Sequence, residues 1–172
     1  VDYAHSKNIL HRDIKTENIM VGSYGEVFLI DWGVAIQLDD NGETWPKDFM
    51  GSPRYAAPEM FQDKIPLTKQ TDIYLLGATL VECLTGSAIH KGKSVAELIK
   101  GSQGLNENDF PEAIDKALFK ICLRATHTVP EQRFDSAKNF RQTIELYLKQ
   151  RSAIGTLEYA YDLLDELRIE FA

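Results

Sequence analysis

The order of apolar and polar residues predicts short strands in the first part of the chain. Apolar residues occur there in brief runs within residues 8–10, 18–21 and 26–30, a length typical of strands. Gly22 and Gly25 lie between the second and third runs and indicate a hairpin turn. We therefore expect a small β-region near the start of the chain.

The remainder of the chain predicts a long loop followed by helices. Residues 37–58 are polar and rich in glycine and proline, and a loop of about twenty residues in a compact domain is usually functional. Thr68 or Thr71 can cap a helix that ends at Gly86, and because this helix is apolar nearly all round we expect it to be buried. Helical spacing predicts further helices over residues 94–100, 111–124, 136–150 and 156–171.

Composition narrows the class of protein. The 172 residues carry a net charge of -7, which argues against a nucleic-acid binder, since such proteins display a basic patch. No apolar run reaches the roughly eighteen residues that predict a membrane-spanning helix. Cys83 and Cys122 both lie in apolar helical stretches and are interpreted as buried free thiols, which favours a reducing cytoplasm.

The segment His11–Asn18, with sequence HRDIKTEN, contains side chains that can take part in catalysis. It places a carboxylate, a cation and an amide two and three residues apart. Phosphoryl transfer needs this set: a carboxylate to accept the proton of the attacking hydroxyl, a cation for the phosphoryl group and an oxygen ligand for magnesium. Asp31 follows an apolar strand thirteen residues after Asn18 and offers the second hard oxygen ligand that Mg²⁺ prefers.

Taken together, the motifs resemble the eukaryotic-type protein kinase family. Five elements match its pattern in the same order, within residues 1–150. They are HRDIKTEN at 11–18, DWG at 31–33, GSPRYAAPE at 51–59, Asp72 with Gly77, and Pro130 with Arg133. The resemblance implies an α+β, mainly α fold: the C-terminal lobe of a kinase, with a small β-hairpin region at the edge of the active site. The helix that begins near Asp72 would form its axis.

The resemblance also implies the role of each residue in catalysis. Asp13 would be the catalytic base, and Lys15 would neutralise the transferring phosphate of ATP. Asn18 and Asp31 would hold Mg²⁺, and Met20 would form the floor under adenine. Lysine two residues after the catalytic aspartate is typical of serine/threonine kinases, so the expected substrate is a protein hydroxyl on Ser or Thr.

A second set of residues is expected to support this site. Its members are His11, Trp32, Gly33, Glu59, Asp72 and Arg133. Asp72 would bind the backbone of the catalytic loop, while His11 and Trp32 would pack as part of an apolar column. Glu59 and Arg133 would form a buried ion pair, and breaking such a pair from one side costs on the order of 3–5 kcal/mol.

Two hypotheses remain open for the regulation of the activation segment, the stretch that follows the DWG motif at 31–33 and ends at Glu59. Arg12 can hold an anion on this segment through charge-assisted hydrogen bonds. Either Thr44 is phosphorylated and pairs with Arg12, or Asp48 supplies a permanent anion; an acidic loop in solvent is the third interpretation. Ser52 matches a hydroxyl that contacts the catalytic aspartate and lysine, and Glu17 matches a position that favours basic residues before the target hydroxyl.

The resemblance covers only one lobe of a kinase. Residues 1–150 match the C-terminal lobe, residues 151–172 would form a helical extension, and the glycine-rich loop and strand lysine of the N-terminal lobe are not among the 172 residues. We expect that lobe as a partner in cis, and we expect this chain alone to be inactive.

The Asp-Trp-Gly motif suggests a bacterial member. The alternatives are a pseudokinase scaffold, which would lack reactive groups that are intact here, and a small-molecule phosphotransferase, which would lack the segment 51–59.

Overall fold

The computed structural model describes residues 1–92, 94, 97–98, 105, 110–111 and 114–170, with the backbone alone at 158 and 160–170. The helix expected over residues 94–100 falls largely outside the described residues. In the described part, none of the helices combines the length and the apolar character needed to cross a membrane.

Two small antiparallel sheets form the start of the chain, after a short helix α1 (Asp2–Ser6). Strand β2 (Ile19–Val21) pairs with β3 (Val27–Leu29), with Ile19 opposite Leu29, which confirms the predicted hairpin. Strand β1 (Ile9–Leu10) pairs with β4 (Ile36–Gln37), a strand that the sequence pattern did not predict. The loop between β1 and β2 contains the segment HRDIKTEN, so the two sheets hold both of its ends.

Helix α2 (Lys69–Thr85) is the buried axis of the fold, as expected. It begins after Thr68, whose N–H donates to the Thr71 hydroxyl at 3.2 Å, and it ends where Gly86 adopts a φ of 71°. Glycine is favoured at such a helix end because it has no Cβ to clash in the left-handed conformation. Nine of its 17 residues are buried, among them Ile73, Tyr74 and Leu75 of the apolar core.

Two helices pack on α2, and both differ from the sequence prediction. Helix α3 (Lys116–Ala125) begins five residues later than Pro111, because the Asp115 carboxylate accepts the Ala117 N–H at 2.7 Å and caps it there. Helix α4 (Ala137–Glu170) is continuous, so the prediction of two separate helices was wrong. A glycine inside a helix costs only about 1 kcal/mol, and Gly155 does not end α4.

The core consists of two apolar clusters on opposite sides of α2. Leu10, just before the catalytic loop, and Ile14, within it, belong to one, and Phe134 and Phe140 belong to the other. The close contact of α2 with α3 depends on Gly77, since a Cβ there would lie 2.6 Å from the Ala125 side chain. The result is a mainly helical α+β fold whose small sheets and catalytic loop lie at one edge.

The two cysteines differ in their surroundings. Cys122 is buried, and this burial raises the pKa of its thiol to about 12. Cys83 is exposed, so the prediction that both thiols are buried was wrong for this residue. Cys83 lies near the end of α2, after Val81, which is the last buried residue of this helix.

Candidate active site

The catalytic loop is fastened to the buried helix by one carboxylate. Asp72, in the first turn of α2, accepts the N–H of His11 at 2.9 Å and the N–H of Arg12 at 3.0 Å. His5 Nε2 also contacts Asp72 Oδ2 at 2.9 Å. Arg12 has a φ of 67°, a conformation that costs a non-glycine residue on the order of 1–3 kcal/mol. Asp72 therefore holds a strained loop, in the supporting position that the sequence predicted.

Asp13 lies at the centre of the loop with one oxygen available. Its Oδ2 lies 3.1 Å from Lys15 Nζ and accepts the Asn18 amide at 3.1 Å. Among the described residues, its buried Oδ1 accepts no hydrogen bond. Burial alone would raise the pKa of Asp13, but nearby Ser52, Lys15 and Asn18 outweigh it, so the pKa lies below its ordinary value. The group is an ionised carboxylate at neutral pH, and one of its oxygens can accept a proton or a hydrogen bond.

Lys15 connects the catalytic loop to the segment 51–59. Its Nζ donates to Ser52 Oγ at 2.7 Å, as expected for this hydroxyl. Gly51 has a φ of 123°, and a Cβ there would lie 2.6 Å from the Arg12 carbonyl oxygen. The absence of a side chain at Gly51 therefore lets this segment lie directly on the catalytic loop.

Asn18 and Asp31 are brought together by the β2–β3 pairing. The Ile30 N–H donates to the Asn18 carbonyl at 2.9 Å, which places Asp31 one residue beyond that contact. Asp31 has a φ of 61° and an exposed carboxylate, whose Oδ1 accepts the Gly33 N–H at 3.3 Å. The Asn18 side-chain nitrogen donates to the backbone carbonyl oxygen of Asp13 at 2.8 Å. The side-chain amide oxygen of Asn18 is therefore left to bind a metal.

This donor set fits Mg²⁺. Carboxylate and amide oxygens are hard ligands, and Mg²⁺ is usually held by one or two protein groups while phosphates and water complete its shell. No group of three or more Asp, Glu, His or Cys side chains that could hold a metal occurs in the described part of the chain. A metal at Asn18 and Asp31 would accordingly depend on a bound phosphate.

His11 links the two catalytic motifs. Its Nδ1 accepts the Asp13 N–H at 3.2 Å, so its Nε2 carries the proton and donates to the Ile30 carbonyl at 3.0 Å. The buried His11 ring packs against Trp32 edge to face, with centroids 4.6 Å apart. Trp32 is 40% exposed and donates its indole N–H to the Leu29 carbonyl at 3.0 Å. The two rings contact each other as expected, and their place in an apolar column stays a prediction.

Glu59 and Arg133 form the expected buried ion pair. Two parallel hydrogen bonds join them, at 2.6 and 2.8 Å, and each residue is only 1% exposed. Thr71 donates to the Glu59 carboxylate at 3.0 Å, and the Arg133 guanidinium lies over the Tyr74 ring. The pair joins the end of the segment 51–59 to helix α2 and to the approach to α4.

The residues of the activation segment are not brought together in the described structure. Arg12 donates its Nε to the Val34 carbonyl at 2.5 Å, and burial lowers the pKa of its guanidinium although Asp72 opposes this. Thr44 pairs with Leu67 through their backbones, and Asp48 is exposed. Neither forms an ion pair or hydrogen bond with Arg12 in the part of the chain that is described. Phosphorylation of Thr44 and an anionic role of Asp48 stay predictions.

An acidic cluster next to the catalytic loop was not predicted as a unit. Glu82, from α2, accepts the Tyr55 hydroxyl at 2.7 Å and the Thr16 hydroxyl at 2.5 Å. Glu17 lies 3.4 Å from the same tyrosine oxygen. Burial, reinforced by Glu82, raises the pKa of Tyr55. The sequence signal was a glutamate within an otherwise apolar buried helix, ten residues after Asp72.

Apolar side chains are exposed at the edge of the site. Met20 is 56% exposed and lies opposite Phe28, which is exposed to the same extent. Val21 and Val27, the next pair of the hairpin, are also exposed. Contiguous apolar surface of this kind usually marks an interaction site.

Comparison with known proteins agrees with this geometry. The family model described as the protein kinase domain matches residues 1–148, and the chain belongs to this family. A protein named serine/threonine-protein kinase PknD from Chlamydia trachomatis serovar D is 32% identical over 173 residues, covering 87% of this chain and 18% of the relative. The PknD of Protochlamydia amoebophila is 33% identical over 177 residues, covering 88% and 18%. The chain thus spans less than a fifth of the length of these bacterial relatives.

Proposed function

We propose that this chain supplies the catalytic lobe of a serine/threonine protein kinase, which transfers the γ-phosphate of ATP to a Ser or Thr hydroxyl of a protein. The observation that carries the proposal is the buried Asp13 Oδ1, which has no hydrogen-bond partner in the described structure while Lys15 lies beside the other oxygen. This arrangement suits a base that awaits the proton of a substrate hydroxyl.

The transfer follows from the positions of these groups. The substrate hydroxyl donates to Asp13 Oδ1, and its oxygen attacks the γ-phosphorus while the bond from that phosphorus to the ADP oxygen breaks. The hydroxyl proton passes to Asp13. Lys15, held by Ser52, is placed to stabilise negative charge on the transferring group. Mg²⁺, held by Asn18 and Asp31, would supply charge neutralisation on the phosphates.

Two observations support Ser and Thr rather than Tyr as acceptors. The contact between Lys15 and Ser52 places a hydroxyl and an ammonium over the catalytic carboxylate, in the pattern expected for serine/threonine kinases. The relatives of similar sequence carry the name serine/threonine-protein kinase. Phosphoamino-acid analysis of a labelled protein substrate distinguishes phosphotyrosine from the expected products.

Nucleotide clamping requires a second lobe in this proposal. The exposed apolar hairpin at Met20 and Phe28 would form the lower wall of the adenine site and contact that lobe. Because positioning supplies most of the catalytic effect in phosphoryl transfer, residues 1–172 alone should transfer phosphate negligibly.

The test uses full-length protein, purified residues 1–172, radiolabelled ATP and a panel of Ser/Thr peptides. We expect transfer by the full-length protein that disappears when EDTA removes Mg²⁺, and no transfer by residues 1–172. Absence of transfer by the full-length protein, with ATP binding retained, would favour the pseudokinase scaffold. Transfer to a small-molecule alcohol but to no peptide would favour a small-molecule phosphotransferase.

The acidic cluster supports a preference for basic residues near the target hydroxyl. Glu17 is exposed, and Glu82 adds a second carboxylate on the same side of the catalytic loop. A peptide array should therefore show selection for Arg or Lys at one position. Glu82→Gln should weaken this selection, and a profile indifferent to basic residues would remove the proposal.

A further inference from the structure

The loop 86–92 lies against the segment 51–59 and is fixed there by two hydrogen bonds. The His90 N–H donates to the Arg54 carbonyl at 3.1 Å, and His90 Nε2 lies 2.9 Å from the Ala56 carbonyl oxygen. The His90 ring is buried, and the Tyr74 hydroxyl lies 3.2 Å from the same nitrogen. Arg54 and Lys91 therefore lie on two neighbouring segments that these hydrogen bonds hold together.

A cleft of about 630 Å³ opens at this junction, and charges of both signs border it. Arg54 and Lys91 are exposed, and neither forms an ion pair with any residue that the structure describes. Of the two carboxylates on the cleft, Glu82 accepts hydrogen bonds from the catalytic-loop side, and Glu97 has an interaction of its own. The two cations are therefore available to an anionic ligand.

The cleft lies next to the catalytic loop and the segment 51–59. Arg54 follows two residues after Ser52, which accepts the hydrogen bond from Lys15. Glu82 borders the cleft and also contacts Thr16, in the catalytic loop. A peptide with its hydroxyl at Asp13 thus passes within reach of this cleft.

We propose that Arg54 and Lys91 form a subsite for an anionic group of the protein substrate, either a carboxylate or a phosphate. This inference rests on the proposed kinase function and deepens it. Glu17 and Glu82 face the substrate with negative charge near the hydroxyl, and Arg54 and Lys91 face it with positive charge farther along. The preferred substrate carries a basic residue close to its Ser or Thr and an anionic residue at a second, fixed distance.

A positional peptide scan with the full-length protein tests the subsite. Each position around a fixed Ser is occupied in turn by Ala, Glu, phosphoserine or Lys, and kcat/KM is measured for each peptide. At one position we expect Glu or phosphoserine to exceed Ala by about three- to tenfold, as expected for one or two exposed ion pairs. The ratio of phosphoserine to Glu distinguishes a phosphate subsite from a carboxylate subsite.

Charge substitutions assign the preference to these residues. Arg54→Glu and Lys91→Glu should each abolish the ratio of Glu to Ala and make Lys favourable at that position, while Arg54→Gln and Lys91→Gln should only abolish it. Lys149→Glu, which reverses an exposed charge on α4, serves as the matched control and should keep the wild-type ratio.

Three results would overturn the proposal. The first is a wild-type protein that prefers no anionic residue at any position, the second is a preference that survives all four substitutions in folded protein, and the third is an equal loss of that preference in Lys149→Glu. If the full-length protein phosphorylates no Ser/Thr peptide, the proposed function itself fails and the subsite fails with it. A protein that phosphorylates Ala-containing peptides without anionic preference refutes the subsite alone.

Discussion

Replacing Glu59 by Gln leaves the buried Arg133 guanidinium without its counter-charge while changing the side-chain volume very little. Arg133 donates two of its hydrogen bonds to Glu59, at 2.6 and 2.8 Å, and the remaining three to backbone carbonyls. A glutamine offers one oxygen and one NH₂ group, so one guanidinium N–H would face another donor.

The expected cost follows from the burial of both partners. Each is 1% exposed, so water cannot replace the lost carboxylate, and removal of one partner of a buried pair costs about 3–5 kcal/mol. For a domain of this size that loss lowers Tm by roughly 6–20 °C. Glu145→Gln is the matched control, because Glu145 pairs with Arg141 on the exposed face of α4. An exposed pair of this type contributes only about 0.3–0.5 kcal/mol.

Urea denaturation followed by circular dichroism measures both variants against the unchanged protein. We expect Glu59→Gln to lose several times more free energy of unfolding than Glu145→Gln. A loss below about 1 kcal/mol for Glu59→Gln would refute the conclusion that this pair anchors the end of the segment 51–59 to helix α2.

Three further predictions concern thiols, charge and packing. A thiol reagent added to the native protein should label Cys83 and spare Cys122, and two labelled thiols before unfolding would contradict the burial of Cys122. Lys15→Met should raise the pKa of Asp13, so the acid limb of the remaining kcat/KM should move to higher pH, because the base works only when deprotonated; an unmoved limb would show that Lys15 does not hold this pKa down. Gly77→Ala should lower the free energy of unfolding in urea by about 1–3 kcal/mol despite the better helix propensity of alanine, and an unchanged value would show that α2 and α3 can separate without cost.

The sequence predicted the central helix because its signals were local. Thr68 at the start, Gly86 at the end and an apolar run between them specify α2 without reference to the remainder of the chain. Helix α3 was placed too early because Pro111 and Asp115 are both suitable helix starts, and only the hydrogen bond from Ala117 to Asp115 selects the second. Strand β4 was missed because two residues that pair with β1 carry no pattern of their own.

The candidate site could be predicted in its residues but less fully in its contacts. The spacing within HRDIKTEN and the later motifs identified Asp13, Lys15 and Asn18 as candidates, because these three residues lie in one loop. Glu82 and Tyr55 are 27 residues apart, and their hydrogen bond depends on the packing of α2 beneath the segment 51–59. The sequence contains both residues, but only the folded structure shows that they meet beside the catalytic loop.

Asp13→Asn in the full-length protein tests whether Asp13 is the base of a phosphoryl transfer. Phosphate transfer to a Ser/Thr peptide and the affinity for ATP with Mg²⁺ are measured in parallel. We expect kcat to fall by about 10²–10⁴-fold while ATP affinity and the free energy of unfolding stay close to those of the unchanged protein. Transfer at the unchanged rate in the Asp13→Asn protein would show that Asp13 is not the base.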